Sequence, residues 1–166
     1  VLLIASSYDA FMLEEDGRKK VKRGDHSGKI EEVNDELLRL LLDEGYVPVV
    51  GVPMVSYEGT AVNTDADRSA AAVAGAVGGR LVILSDVPGL LRDPDDPDSL
   101  VERVAYDEID DAIEEYAEGK MKKKVYAARE ALDAGAHDVV VASANVEEPV
   151  TNALEGKGTI FEGNDD

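Results

Sequence analysis

The stretch that most constrains the fold is Ala66–Val77 together with the twelve residues after it, Gly78–Gly89. A helix of very small residues, rich in alanine and carrying Gly75, ends at Gly78-Gly79. It leads into the strand Arg80–Leu84, apolar from Leu81, which ends in Ser85-Asp86-Val87-Pro88-Gly89. A helix this slender can lie close on a sheet, and four or five apolar residues between turn signals read as a buried strand. The polar clusters Asn63/Asp65/Asp67 and Ser85/Asp86 stand at the ends of these core elements. In open α/β sheets, ligands bind in the crevice beyond the carboxyl ends of the strands.

The rest of the chain alternates in the same manner. Residues 8–30 read as short strands and turns, with Glu14–Gly17 a turn between Phe11–Leu13 and Lys20–Lys22, and Arg23–Gly28 a second loop. From Glu31 to Glu44, Val33, Leu37, Leu40 and Leu41 recur at helical spacing, and Gly45 closes that helix. Tyr46–Val50 then reads as a buried strand. Asp107–Glu115 and Met121–Ala134 read as helices, Asp138–Ala142 as a buried strand and Thr159–Phe161 as a short closing one. Strands alternating with helices imply an α/β fold, a three-layer αβα sandwich with a mainly parallel sheet. At 166 residues and 44% hydrophobic content, a single domain with a substantial core is expected, with residues 1–30 as its N-terminal strands and hairpin.

Charge narrows the partners. Asp and Glu number 36 against 17 Lys and Arg, a net charge of −19 spread along the chain. Such a surface repels nucleic acid and anionic membranes, and no apolar run is long enough to span a bilayer. Val1–Ala5 is too short for a signal-peptide core, and cysteine is absent, so a cytoplasmic protein is expected. A dispersed carboxylate excess is a halophile-type composition; an ordinary acidic protein is the other reading.

Several residues could carry chemistry. Lys120-Met121-Lys122-Lys123-Lys124 holds four of the nine lysines, just after Gly119 at a helix start. Exposed N–H groups and ammonium groups there could bind an anion; alternatively the lysines form a solvated face paired with Glu114, Glu115 and Glu118. Asp65 and Asp67 could be helix caps and nothing more, although one cap needs only one such residue. Ser85 and Asp86 could simply set a turn. His26 and His137 have no metal-like partners, and the Asp-Pro loop 92–99 lacks the pattern of an EF-hand. Walker A, GxGxxG and GxSxG patterns are absent.

Six segments in order carry a resemblance: Arg23–Asn34, Gly45–Val49, Val62–Arg68, Leu84–Leu90, Gly119–Val125 and Gly156–Thr159. From about Gly24 to Phe161 the chain resembles the amino-acid kinase family, in its acetylglutamate kinase branch. The lysine-rich Gly-x-Met-Lys-Lys-Lys-Val form is most similar to kinases acting on glutamate or aminoadipate carried by the LysW protein. The resemblance implies transfer of the γ-phosphoryl of ATP to a side-chain carboxylate, with Mg²⁺ arriving on the nucleotide. By the same resemblance Lys124 stabilises the transferring phosphoryl and Asp67 orients catalytic lysines. Asn63 holds the amino-acid substrate, and Ser85, Asp86, Val87 and Met121 contact or border the nucleotide. A homo-oligomer is left open. The family's N-terminal lysine and glycine-rich loops have no counterpart here, so the chain is expected to be the C-terminal, nucleotide-binding part of such a kinase. Three readings are open: a kinase acting in arginine or lysine biosynthesis, a catalytically incomplete nucleotide-binding fragment, or an unrelated α/β binding module.

If the charge of −19 is a salt adaptation, screening its self-repulsion should stabilise the fold. The thermal midpoint is expected to rise steadily as KCl approaches molar concentrations. A midpoint that stays flat or falls with salt returns the chain to the ordinary acidic class.

Overall fold

A computed structural model describes residues 2–7, 11–15, 18–22 and 26–164. The chain divides into two compact units, Val1–Ser69 and Ala70–Asp166.

The first unit holds a four-stranded sheet in the order β4-β1-β5-β6, from β1 (Leu3–Ser7), β4 (Gly28–Val33), β5 (Met54–Val55) and β6 (Ala61–Val62). The β1/β4 and β5/β6 pairings are antiparallel and β1/β5 is parallel. β2 (Phe11–Glu15) and β3 (Arg18–Lys22) form a separate antiparallel ribbon, while residues 16–17 of the expected turn lie outside the described residues. So do residues 23–25 of the second expected loop. Leu3, Ala5, Leu38, Met54 and Val62 are buried.

Two expectations need correction here. The helix read from Glu31 begins only at Asp35: α1 is Asp35–Asp43, because 28–33 pair with β1 and Asn34 caps the helix, its side-chain oxygen accepting from the Leu37 N–H at 3.0 Å. Gly45 closes α1 as expected, with φ +81° and the Tyr46 N–H donating back to Leu41 O at 2.9 Å. Tyr46–Val50 is not a buried strand: none of it is paired, and Val47 and Val49 are 87% and 94% exposed. Pro48 lacks the N–H a central strand must donate, and among the described residues no sheet covers this run.

The second unit is built on the sheet β7-β9-β10-β8: β7 (Leu81–Ser85), β8 (Arg103–Val104), β9 (Asp138–Ser143) and β10 (Thr159–Glu162). β7 and β9 run parallel in register from Leu81↔Val139 to Ser85↔Ser143. β10 is antiparallel to β9 and parallel to β8. The α/β class is therefore as expected, with both sheets mixed; parallel pairings predominate only in this second one.

Alternation along β9 makes the layers. Val139 and Val141 join a core with Ile109 and Ile113 of α3 (Ile109–Glu115) and Val125, Ala128 and Leu132 of α4 (Gly119–Asp133). Val140 and Ala142 face the other way, onto Ala153 of α5 (Pro149–Leu154). Successive strand residues point to opposite faces, so the run Val139–Ala142, apolar on both faces, needs a layer on each side. The small-residue helix is α2 (Ala66–Val77). A Cβ on Gly75 would stand 2.4 Å from the Ala134 Cβ, so only glycine allows this approach of α2 to the end of α4.

A half-buried ion pair ties the start of β9 to the residue before β7. Arg80 grips Asp138 with two N–H groups, Nε to Oδ1 at 2.6 Å and Nη2 to Oδ2 at 2.5 Å. Burial pushes the Asp138 carboxyl up, but the Arg80 hydrogen bonds and charge, with a smaller contribution from His137, hold it below its ordinary 3.8. A carboxyl lowered by folding stabilises the protein above its unfolded pKa and loses that contribution as pH falls through the folded value. Arg80→Met is therefore expected to cost about 1.5–3 kcal/mol at pH 7. In urea titrations the gap between variant and parent should narrow as pH drops below 3.8; a gap independent of pH would assign the loss to packing alone.

Candidate nucleotide site and the residues around it

The carboxyl ends of β7 and β9 stop together, and the Ala144 N–H donates to Ser85 O at 2.6 Å. Ser85 is buried and its hydroxyl donates to the neighbouring Asp86 carboxylate at 3.1 Å. Asp86 is exposed and Val87 half-buried, so the segment turns outward from the sheet. The hydroxyl of Thr159, at the start of β10, fixes that turn. It accepts from the Leu90 N–H at 2.8 Å and donates to Val101 O at 2.7 Å, all in the interior. Gly89 lies against it: a Cβ there would be 2.5 Å from Thr159 Oγ1. Two motifs far apart in sequence, 84–90 and 156–159, are thus one structure.

Beside them is a cavity of about 470 Å³, lined among others by Pro88, Leu100, Ser143, Asn152, Lys157 and Ile160. Its size suits a nucleoside. Leu100 and Ile160 offer apolar walls to a planar base, and Asn152 and Lys157 offer polar contacts; their side chains are joined by a 2.7 Å hydrogen bond. Gly158, with φ +138°, lies where a Cβ would strike Val141 O at 2.5 Å, so glycine lets this loop close onto the strand end. The sequence alone does not single out Asn152 and Lys157 as cavity-lining residues; only the glycine-rich Gly156–Thr159 pattern points to this loop.

Met121 and Lys124 do not line this cavity. They sit three apart on α4 and so share a helix face; both are half-buried, whereas Lys120 and Lys123 are exposed. Met121 packs on the core of its unit. The lysines occupy the first two turns of α4, which starts at Gly119 rather than Met121.

In the first unit, Asn63 and the segment after it meet the His26–Gly28 loop. The Asn63 N–H donates to His26 O at 2.7 Å and the Gly28 N–H to Asn63 O at 2.9 Å, leaving the Asn63 residue exposed. A Cβ on Gly28 would be 1.9 Å from Ser6 O, which explains the glycine. Asp65 is the cap of α2: its carboxylate accepts from the Arg68 N–H at 3.2 Å, and its carbonyl accepts from the Ser69 N–H and hydroxyl. Asp67 is therefore not needed as the cap. It lies half-buried one turn before Ala71, on the same helix face.

The profile of the Amino acid kinase family matches residues 4–143. The chain belongs to that family. It is 49% identical to the [LysW]-aminoadipate kinase of Thermus thermophilus over 150 residues, 88% of this chain and 55% of that protein. It is 41% identical to the acetylglutamate kinase of Methanopyrus kandleri, over 93% of this chain and 63% of that one. Among solved structures, N-acetylglutamate synthase from Neisseria gonorrhoeae, complexed with coenzyme A and L-arginine, matches at TM-score 0.80 and 26% identity, covering 98% of this chain and 37% of that one. Carbamate kinase from Giardia lamblia bound to AMP-PNP shares the fold at TM-score 0.63, over 93% of this chain and 52% of that one. The chain spans about half the length of the kinase from Thermus and less than two thirds of that from Methanopyrus.

Thr159→Val keeps shape and removes both hydroxyl hydrogen bonds. Leaving Leu90 N–H and Val101 O unsatisfied is expected to cost on the order of 2–3 kcal/mol in chemical denaturation, while Thr159→Ser restores most of it. Equal stability for the Val variant and the parent would remove the hydroxyl from its place in holding the 85–90 turn.

Proposed function

We propose that this chain carries the nucleotide-binding portion of a cytoplasmic kinase. The reaction is transfer of the γ-phosphoryl of ATP to the side-chain carboxylate of glutamate or aminoadipate, carried on the LysW protein, giving an acyl phosphate in arginine or lysine biosynthesis. The observation that carries this reading is the joining of segments 84–90 and 156–159 through Thr159, beside a nucleoside-sized cavity at the ends of parallel strands. Family membership and the two kinase relatives support the chemistry.

In this reading the cavity takes the nucleoside and Ser85, Asp86 and Val87 contact the nucleotide. Lys124 meets the terminal phosphates, Met121 borders the nucleotide, Asp67 orients catalytic lysines, and Asn63 holds the amino-acid acceptor. Mg²⁺ arrives bound to the ATP phosphates and neutralises their charge. Catalysis of this type is positioning and charge stabilisation, with no covalent enzyme intermediate. A chain spanning about half of its relative also supports a second reading, that it binds nucleotide but does not turn over without the remainder. The dispersed acidic composition supports a halophilic source under this proposal.

Nucleotide binding is tested on the chain itself. ADP and ATP are expected to raise the thermal midpoint, as any ligand of the folded state does; GTP and AMP serve as comparisons. Lys124→Ala should weaken ATP binding by about 1.5–3 kcal/mol, the strength of a charge-assisted contact, and Lys122→Ala by much less. With the remainder of the kinase supplied, hydroxylamine should trap an acyl phosphate, and Asp67→Asn should lower kcat by about 10²-fold with folding unchanged. No midpoint shift with any nucleotide would overturn the nucleotide site. A kcat for Asp67→Asn within a few-fold of the parent would remove Asp67 from catalysis.

A further inference from the structure

The polar groups lining the cavity at the strand ends are not alike. Most are engaged with neighbours. The Asn152 carboxamide is used at both ends: Nδ2 donates to Glu147 O at 2.7 Å, and Oδ1 accepts from Lys157 Nζ at 2.7 Å. Ser143 Oγ accepts from the Asn145 N–H at 3.1 Å, and the Arg103 guanidinium pairs with Glu162. Lys157 is held twice, by Asn152 and by Glu155 Oε2 at 3.3 Å. Glu102 is the exception. Its backbone is fixed, since Glu102 O accepts from the Ile160 N–H at 2.9 Å and Val101 beside it is tied to Leu90 and Thr159. Glu102 lines the cavity, and its carboxylate makes no hydrogen bond or ion pair among the described residues.

An ionised carboxylate accepts hydrogen bonds and donates none, and it repels phosphate. An ammonium group attracts phosphate. A cavity with one of each among its lining residues suits a ligand that carries hydroxyl donors and a phosphate on one frame. We propose that Glu102 accepts from the ribose hydroxyls of the nucleotide while Lys157 pairs with its first phosphate. Together they make this a ribonucleotide site and set the direction in which the nucleotide lies. Two neighbouring hydroxyls match the two oxygens of one carboxylate, and acidic side chains hold ribose in this way in dinucleotide sites. The base then lies against Leu100 and Ile160, and charge keeps the phosphate away from Glu102. Asn152 acts through Lys157, as a positioning residue, because both ends of its amide are engaged. This assignment rests on the nucleotide reading above, and its test tells the two apart.

Binding to the full chain is measured by titration calorimetry at fixed ionic strength, with ADP, 2′,3′-dideoxy-ADP and adenosine. The parent is expected to bind ADP about tenfold or more tightly than the dideoxy analogue, the scale of hydrogen bonds to a charged group. Glu102→Ala, at an exposed position, should keep the unliganded thermal midpoint and bind the two nucleotides within about twofold of each other. Glu114→Gln removes an exposed carboxylate outside the cavity and should keep the parent's discrimination. Lys157→Met should weaken ADP about tenfold and leave adenosine within about twofold of the parent. The proposal is overturned if the parent binds ADP and the dideoxy analogue alike, or if Glu102→Ala still discriminates. It is also overturned if Lys157→Met keeps the parent's preference for ADP over adenosine. Each of these results leaves the nucleotide site standing. Failure of the parent to bind ADP at all overturns the nucleotide reading, and this assignment with it.

Discussion

The second unit depends on one constraint: β9 is apolar on both faces from Val139 to Ala142, and so must be covered twice. That requirement places α3 and α4 on one face and α5 on the other. It also sets β7 beside β9 in a register that ends both strands at serine. The candidate cavity of this unit follows from where those two strands stop. The Ser85–Gly89 turn, the Gly156–Thr159 loop and the cavity between them all lie at that common end.

Much of this was legible in the sequence because it comes from periodicity and steric need. β9, the alternation of strand and helix and the stop at Gly45 are all read directly from spacing and turn chemistry. The candidate site was legible in part. Ser85 and Asp86 were visible at a strand end, but that Thr159 holds their turn depends on a contact 69 residues apart, and no local pattern encodes such a contact. Asn152 and Lys157 were invisible for the same reason, being ordinary surface types until the loop closes over Ile160.

The failures are as physical as the successes. The helix read from Glu31 lost its first turn because pairing with β1 satisfies those backbone groups better than a helix start would, and Asn34 supplies the cap just beyond. Tyr46–Val50 was misread because hydrophobicity predicts what a segment wants and not whether a partner is there to supply it. Asp65 and Asp67 show the opposite case. Their types were equivalent on paper, and only the hydrogen bond from the Arg68 N–H separated the cap from its neighbour.

The uncovered run also bears on solubility. An apolar segment open to water is a common seed of intermolecular β-stacking. Here Pro48 and Pro53 remove backbone donors, and Gly45 and Gly51 interrupt the segment at intervals too short for a ladder to grow. The residues that deny this segment a place as a central strand therefore also work against aggregation through it.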